Sequence, residues 1–225
     1  MQQLLRRGIR AALAAAVIAV LPACDDSTGS GTGRSGSMSF SFTGSASGSF
    51  AADGRIPSAT SSRFDYRPFA AAVRADSLVL LLAYDHAGGT RGDLTSLFLQ
   101  QPTPGRSYSL DANACFLADP SGASCATGFF LRNTDLNEES DVLEVPFFFT
   151  SGTVTVTSVS DTEIEGTFSG TAEADDGVPG TAPQTVIVTN GRFKMPIASS
   201  DLFGGSTLSR LPAASAELSR MPAGR

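Results

Sequence analysis

Apolar and polar residues alternate with period two along most of the chain between Ser37 and Ala198, and a helical 3.6-residue period is scarce. Successive side chains of a strand point to opposite faces, so this pattern predicts sheets with one buried face. Met38 to Ser45 places Phe40 and Phe42 on one face, and Ser47 to Ala52 carries Phe50 in a second short strand. Phe69 to Ala75 is followed across Asp76 by Ser77 to Tyr84, whose continuous apolar character predicts a strand covered on both faces at the centre of the core. A loop is expected from Asp85 to Asp93. Leu94 to Gln100 reads as a strand, with a turn and a half of helix as the alternative. Pro102 to Gly105 reads as a turn, and Ser107 to Leu110 resumes the alternation.

The clearest hairpin follows. Val154, Val156 and Val159 alternate with threonine and serine, Ser160-Asp161 turns the chain, and Ile164 and Phe168 share one face of the returning strand. Beyond an acidic loop, Glu173 to Gly177, the stretches Gln184–Thr189 and Arg192–Ile197 flank Asn190-Gly191. That dipeptide is either a tight type I′ turn or a bulge within one long strand. The expected fold is all-β: an antiparallel β-sandwich or flattened barrel of about seven to ten strands. Phe40, Phe42, Val79, Leu81, Val154, Val156, Ile164 and Phe168 are expected to face inward.

The amino terminus reads differently. Arg6, Arg7 and Arg10 precede the apolar run AALAAAVIAVL, which is too short to span a membrane and has the form of an export signal. Leu21-Pro22-Ala23-Cys24 resembles the lipobox of bacterial lipoproteins, with Pro22 an uncommon occupant. That resemblance implies cleavage before Cys24, acylation of its thiol, and attachment by two or three chains, each buried methylene contributing about 0.8 kcal/mol. An ordinary secretory signal is the alternative. The following DDSTGSGTGRSGS has almost no apolar residue and reads as a flexible tether. Gly31, Gly33 and Gly36 have G-x-G-x-x-G spacing, but no strand-to-helix context that would make it a nucleotide turn. The expected organisation is signal 1–23, tether 24–36, β domain 37–198 and a largely disordered tail 199–225.

The hairpin region resembles uncharacterised bacterial lipoprotein domains ending in a G-x-V-x-I/V strand, a G-T-F strand and an N/D-G-x-F strand. Here these are Gly152 to Val156, Gly166-Thr167-Phe168 and Asn190-Gly191-Arg192-Phe193, and Gly105 to Leu110 is similar to the G-x-Y-x-L element before them. The resemblance covers about the second half of the ordered chain. It implies an exported, lipid-anchored β domain whose motifs are structural.

Charge and side-chain inventory narrow the chemistry. The chain carries −6, and −9 once the three arginines of the signal are removed, which argues against a nucleic-acid partner. With Cys24 assigned to lipid, Cys115 and Cys125 form an even pair in an oxidising compartment, so a disulfide is expected, with two free buried thiols as the alternative. They flank Asp119-Pro120-Ser121-Gly122, a type I turn signature that predicts a hairpin. In one register Cys125 faces Leu117 and leaves Cys115 only diagonal, so the bond requires a wider loop or a bulge.

The single histidine, His86, lies in a Gly-rich segment and is expected to be exposed; no G-x-S-x-G nucleophile elbow accompanies it, since Ala46 stands at the nucleophile's place in Gly44 to Gly48. No metal site or cofactor is expected, because one histidine and a cysteine pair do not close a zinc site. Two acidic groups, Asp135, Asn137, Glu138, Glu139 and Asp141, and Glu173, Asp175 and Asp176, lack calcium-loop spacing and read as solvated turns. The absence of tryptophan, with three tyrosines, disfavours a sugar-stacking platform. The leading expectation is a lipid-anchored cell-envelope protein with no catalytic residues, attached to either bacterial membrane and binding an envelope protein partner or contributing to envelope structure. The alternative is an envelope hydrolase using carboxylates or His86.

Overall fold

The computed structural model describes residues 34–55, 67–88, 91–111, 125–135, 146–174 and 182–199. Cys24, Cys115, the signal, most of the tether and the tail beyond Ser199 lie outside the described residues. The described part is all-β, with no helix, as the period-two pattern requires. Its strands are β1 (Gly36–Gly44), β2 (Gly48–Gly54), β3 (Phe69–Ala75), β4 (Leu78–Gly88) and β5 (Arg91–Gln100). They continue with β6 (Ser107–Leu110), β7 (Cys125–Asp135), β8 (Phe147–Val159), β9 (Glu163–Ala174) and β10 (Gln184–Ser199).

The ten strands form one mixed sheet in the order β2-β1-β10-β3-β4-β5-β7-β6-β8-β9, and further pairings of β10 with β9 and of β7 with β8 bend it back on itself. The result is a flattened ring of two layers. One is β2-β1-β10-β9-β8, the other β3-β4-β5-β7, and two long strands serve both. β10 pairs antiparallel with β1 as far as Lys194, then parallel with β3 from Ile197, with Pro196 at the changeover. β8 meets β7 only through Phe147 and Phe148 before following β9. Two short contacts, β10–β3 and β6–β7, are parallel; every other pairing is antiparallel, as expected.

Between the layers lies the main core, which contains all eight residues expected to face inward. Its centre is aromatic. Phe40 of β1 stacks on Phe50 of β2 at 4.8 Å and 15°, and meets Phe130 of β7 edge-on at 5.2 Å. Both are favoured arrangements of ring quadrupoles. Val159, three residues after Val156, still packs on this core because a bulge between Val156 and Ser158 absorbs the odd residue.

The Asn190-Gly191 alternative resolves as a bulge within one strand. The ladder shifts against β9 between Val188 and Gly191 and against β1 between Ser39 and Ser41, and Asn190 takes φ 56°. Asparagine tolerates that left-handed conformation better than most residues. The bulge also sets a reciprocal arrangement. Gly166 opposes Phe193, and Gly191 opposes Phe168. A Cβ on Gly166 would lie 2.5 Å from the Phe193 ring, and one on Gly191 would lie 2.6 Å from that of Phe168. Each ring lies over the opposing glycine, which explains why G-T-F and N-G-x-F belong together.

Tyr108 has a comparable structural role. It is buried opposite Val154 of β8, donates its hydroxyl proton to the Gln101 carbonyl at 3.0 Å and accepts from the Thr103 amide at 2.7 Å. This ties the Gln101–Gly105 turn to the core.

The layers differ in their outward faces. The first presents Ser39, Ser41, Thr153, Thr155, Thr167 and Ser169, all exposed or half-buried. The second is apolar outside as well as inside: Phe69, Leu82, Tyr84, Leu94, Phe129, Leu131 and Phe148 form a separate buried cluster. The continuous apolar run of β4 is thereby explained, since Val79, Leu81 and Ala83 enter the main core while Leu82 and Tyr84 enter the outer cluster.

One expectation needs correction. The predicted loop Asp85–Asp93 is largely strand, since β4 continues to Gly88 and β5 begins at Arg91. The register His86↔Gly92 lets glycine occupy the paired position beside a large ring without conflict. The hairpin expected between Cys115 and Cys125 lies outside the described residues except for Cys125, which opens β7. The edges of Ala126 are occupied by Leu99 of β5 and Leu110 of β6, the latter in parallel.

Candidate functional site

Where β4, β5 and β7 end together, the described residues include Asp85, His86, Arg91, Asp93 and Asn133. The site arises because β4 and β5 outrun β3. Gly92 makes the extension possible, since a Cβ there would lie 2.7 Å from the Tyr84 hydroxyl and 2.2 Å from the Asp85 carbonyl oxygen. The Tyr84 ring therefore crosses to the neighbouring strand, fully buried.

Asp85 and Asp93 are direct cross-strand partners. Such partners hold their Cβ atoms about 5 Å apart, so two carboxylates share one face. An oxygen of each is engaged by backbone. Asp85 Oδ2 accepts from the Ala51 amide at 3.2 Å, and Asp93 Oδ1 from the Asn133 amide at 2.8 Å. The first joins β2, the edge strand of layer one, to β4 of layer two. The second secures the β5–β7 bulge, where Asn133 has φ 53° and its carbonyl accepts from Arg91 Nη1 at 2.9 Å.

His86 follows Asp85 directly and so points to the other face. It is half-buried rather than exposed, its ring 6.3 Å from that of Tyr84 at 34°. The alternation of a strand thus divides the Tyr-Asp-His sequence: the histidine joins the outer aromatic cluster, and the carboxylate turns toward the space between layers.

Cys125 opens β7, buried on the outer face, with Sγ 3.7 Å from Gln100 Oε1. Eight residues of strand separate it from Asn133, roughly 26 Å, so Cys125 and His86 sit at opposite ends of the layer. Among the described residues no three His, Cys, Asp or Glu side chains come together to hold a metal ion. The acidic groups are likewise divided. Asp135 ends β7 opposite Arg91, Glu173 lies in β9 opposite Phe148, and the remaining members lie outside the described residues.

Sequence reasoning missed the Asp85–Asp93 pair and its backbone partners. The residues were visible, but their opposition depends on a β4–β5 register hidden by treating the segment as a loop. Compared with protein-family models, with curated proteins and with solved structures, the chain matches none of them.

Proposed function

We propose that this chain is a lipid-anchored cell-envelope protein whose β domain is a non-catalytic module that binds an envelope partner or contributes to envelope architecture. The observation that carries the reading is the tetrad Leu21-Pro22-Ala23-Cys24, placed between a basic-then-apolar leader and a polar tether. The use of polar groups in the fold is in keeping with it. Asp85 and Asp93 hold backbone amides of neighbouring strands, and the Tyr108 hydroxyl holds a turn. The glycine and phenylalanine motifs serve packing. The reading includes a Cys115–Cys125 disulfide, which suits an oxidising compartment.

The test is expression of the full chain with its own leader in a bacterium, followed by metabolic labelling with an alkyne fatty acid and fractionation. The wild-type chain is expected to carry label and sediment with membranes, and Cys24→Ser to lose label and enter the soluble fraction. Membrane association with an unmodified Cys24 refutes the proposal.

A further inference from the structure

Among the described strands, β2 alone has a ladder partner on a single side, since β9 at the other end of the sheet order pairs with β10 as well as β8. Residues of an antiparallel pair alternate between those that exchange both backbone bonds with their partner and those whose N–H and C=O point away from it. The Ala51 amide donates to Asp85 Oδ2 rather than to β1, so Ala51 is of the second kind, together with Ser49 and Asp53 two residues to either side. All three residues are exposed, and among the described residues nothing accepts from the outward amides of Ser49 and Asp53. Such an edge is a template on which another chain adds as the next strand. Three features blunt it. β2 has 7 residues. Its C-terminal end is closed by backbone, because a Cβ on Gly54 would lie 2.2 Å from the Pro68 carbonyl oxygen. Its middle amide is held by Asp85, which spans the gap to β4, a strand that β2 approaches without pairing. Like charges directly opposite each other destabilise a sheet, so Asp85, facing Asp93, stands where the β4–β5 pair alone would not place it.

We infer that Asp85 guards this edge, and that in its absence a second copy of the chain pairs with β2. The inference stands independently of the proposed anchor. The occupant follows from the residues of the edge, which are self-complementary. In an antiparallel pairing centred on Ala51, the Ala51 residues of the two copies face each other, and Ser49 of each copy faces Asp53 of the other. A hydroxyl donor then lies opposite each carboxylate, and no like charges meet. The same patch serves both copies, so the contact closes as a two-fold dimer instead of growing into a fibre. Asp85 opposes this in two ways: its carboxylate occupies the central donor that the second strand needs, and it ties β2 to β4.

The experiment introduces Ala51→Cys into the full chain, treats it with a short bis-maleimide and reads covalent dimer on denaturing gels, with the chain lacking this cysteine as the blank. Little dimer is expected from Ala51→Cys alone, and several-fold more when Asp85→Ala is added. Ser49→Pro removes an outward amide without touching the β1 ladder, and its addition is expected to return the dimer to the starting level. Equal dimer with and without Asp85, no increase in an Asp85→Ala chain of unchanged circular dichroism, or an increase that survives Ser49→Pro each overturns the inference. Amide exchange of the unsubstituted chain is a second measurement that requires no variant to fold. The amides of Ser49 and Asp53 are expected to exchange several-fold faster than those of Phe50 and Ala52, and equal protection overturns the inference.

Discussion

Phe168→Ala removes a ring on which three parts of the main core converge. Phe168 is 4% exposed, and its ring lies 5.6 Å from Phe40 of β1, 6.3 Å from Phe149 of β8 and 6.4 Å from Phe193 of β10. It also covers Gly191 at the β10 bulge. Truncating a buried phenylalanine costs about 3 to 5 kcal/mol. Backbone on several sides limits collapse around the vacated volume, so we expect about 4 kcal/mol. Against a domain stability of about 5 to 15 kcal/mol this is a large fraction. With a urea m-value near 2 kcal/mol/M it lowers the unfolding midpoint by about 2 M.

The assay is equilibrium urea unfolding, followed by circular dichroism, of a form beginning after Cys24. A midpoint shift below about 0.5 M with unchanged m refutes the packing assignment. A double-mutant cycle sharpens it. Gly191→Ala needs space beside the Phe168 ring, so the two substitutions together are expected to cost less than their sum by about 1 kcal/mol. Strict additivity means that the ring and the glycine do not interlock.

Three further outcomes follow from the same structure. Thr95 is fully buried and its hydroxyl has no hydrogen-bond partner, so Thr95→Val is expected to stabilise the domain by about 1 kcal/mol in the same titration; a destabilised variant contradicts the unsatisfied hydroxyl. Tyr108→Phe removes the bonds to Gln101 and Thr103 and is expected to cost about 1 to 2 kcal/mol, while an unchanged unfolding midpoint excludes a stabilising role for the hydroxyl. For the cysteines, non-reducing peptide mapping from native envelopes is expected to recover Cys115 and Cys125 in one linked species, and recovery of both as free thiols rejects the bond.

The sequence by itself determined the fold class and much of the core. Period-two alternation around Phe40, Val154, Ile164 and Phe168 assigns each side chain to a face before any partner strand is known, because alternation is a property of the single strand. The apolar run of β4 announced two buried faces for the same reason. Three other features depended on pairing. Whether Asn190-Gly191 turns the chain or bulges within it depends on where β9 and β1 lie, since both outcomes begin with the same left-handed asparagine. The opposition of Asp85 and Asp93 is a matter of register, which one residue of slippage would abolish. The placement of Cys125 between β5 and β6 came from a parallel neighbouring strand, whose Leu110 pairs with Ala126 sixteen residues later and is invisible to local turn chemistry. Local alternation reports which way a side chain points. Only the closed sheet decides what it meets there, because hydrogen-bonded neighbours are chosen by the burial of the whole core rather than by any one segment.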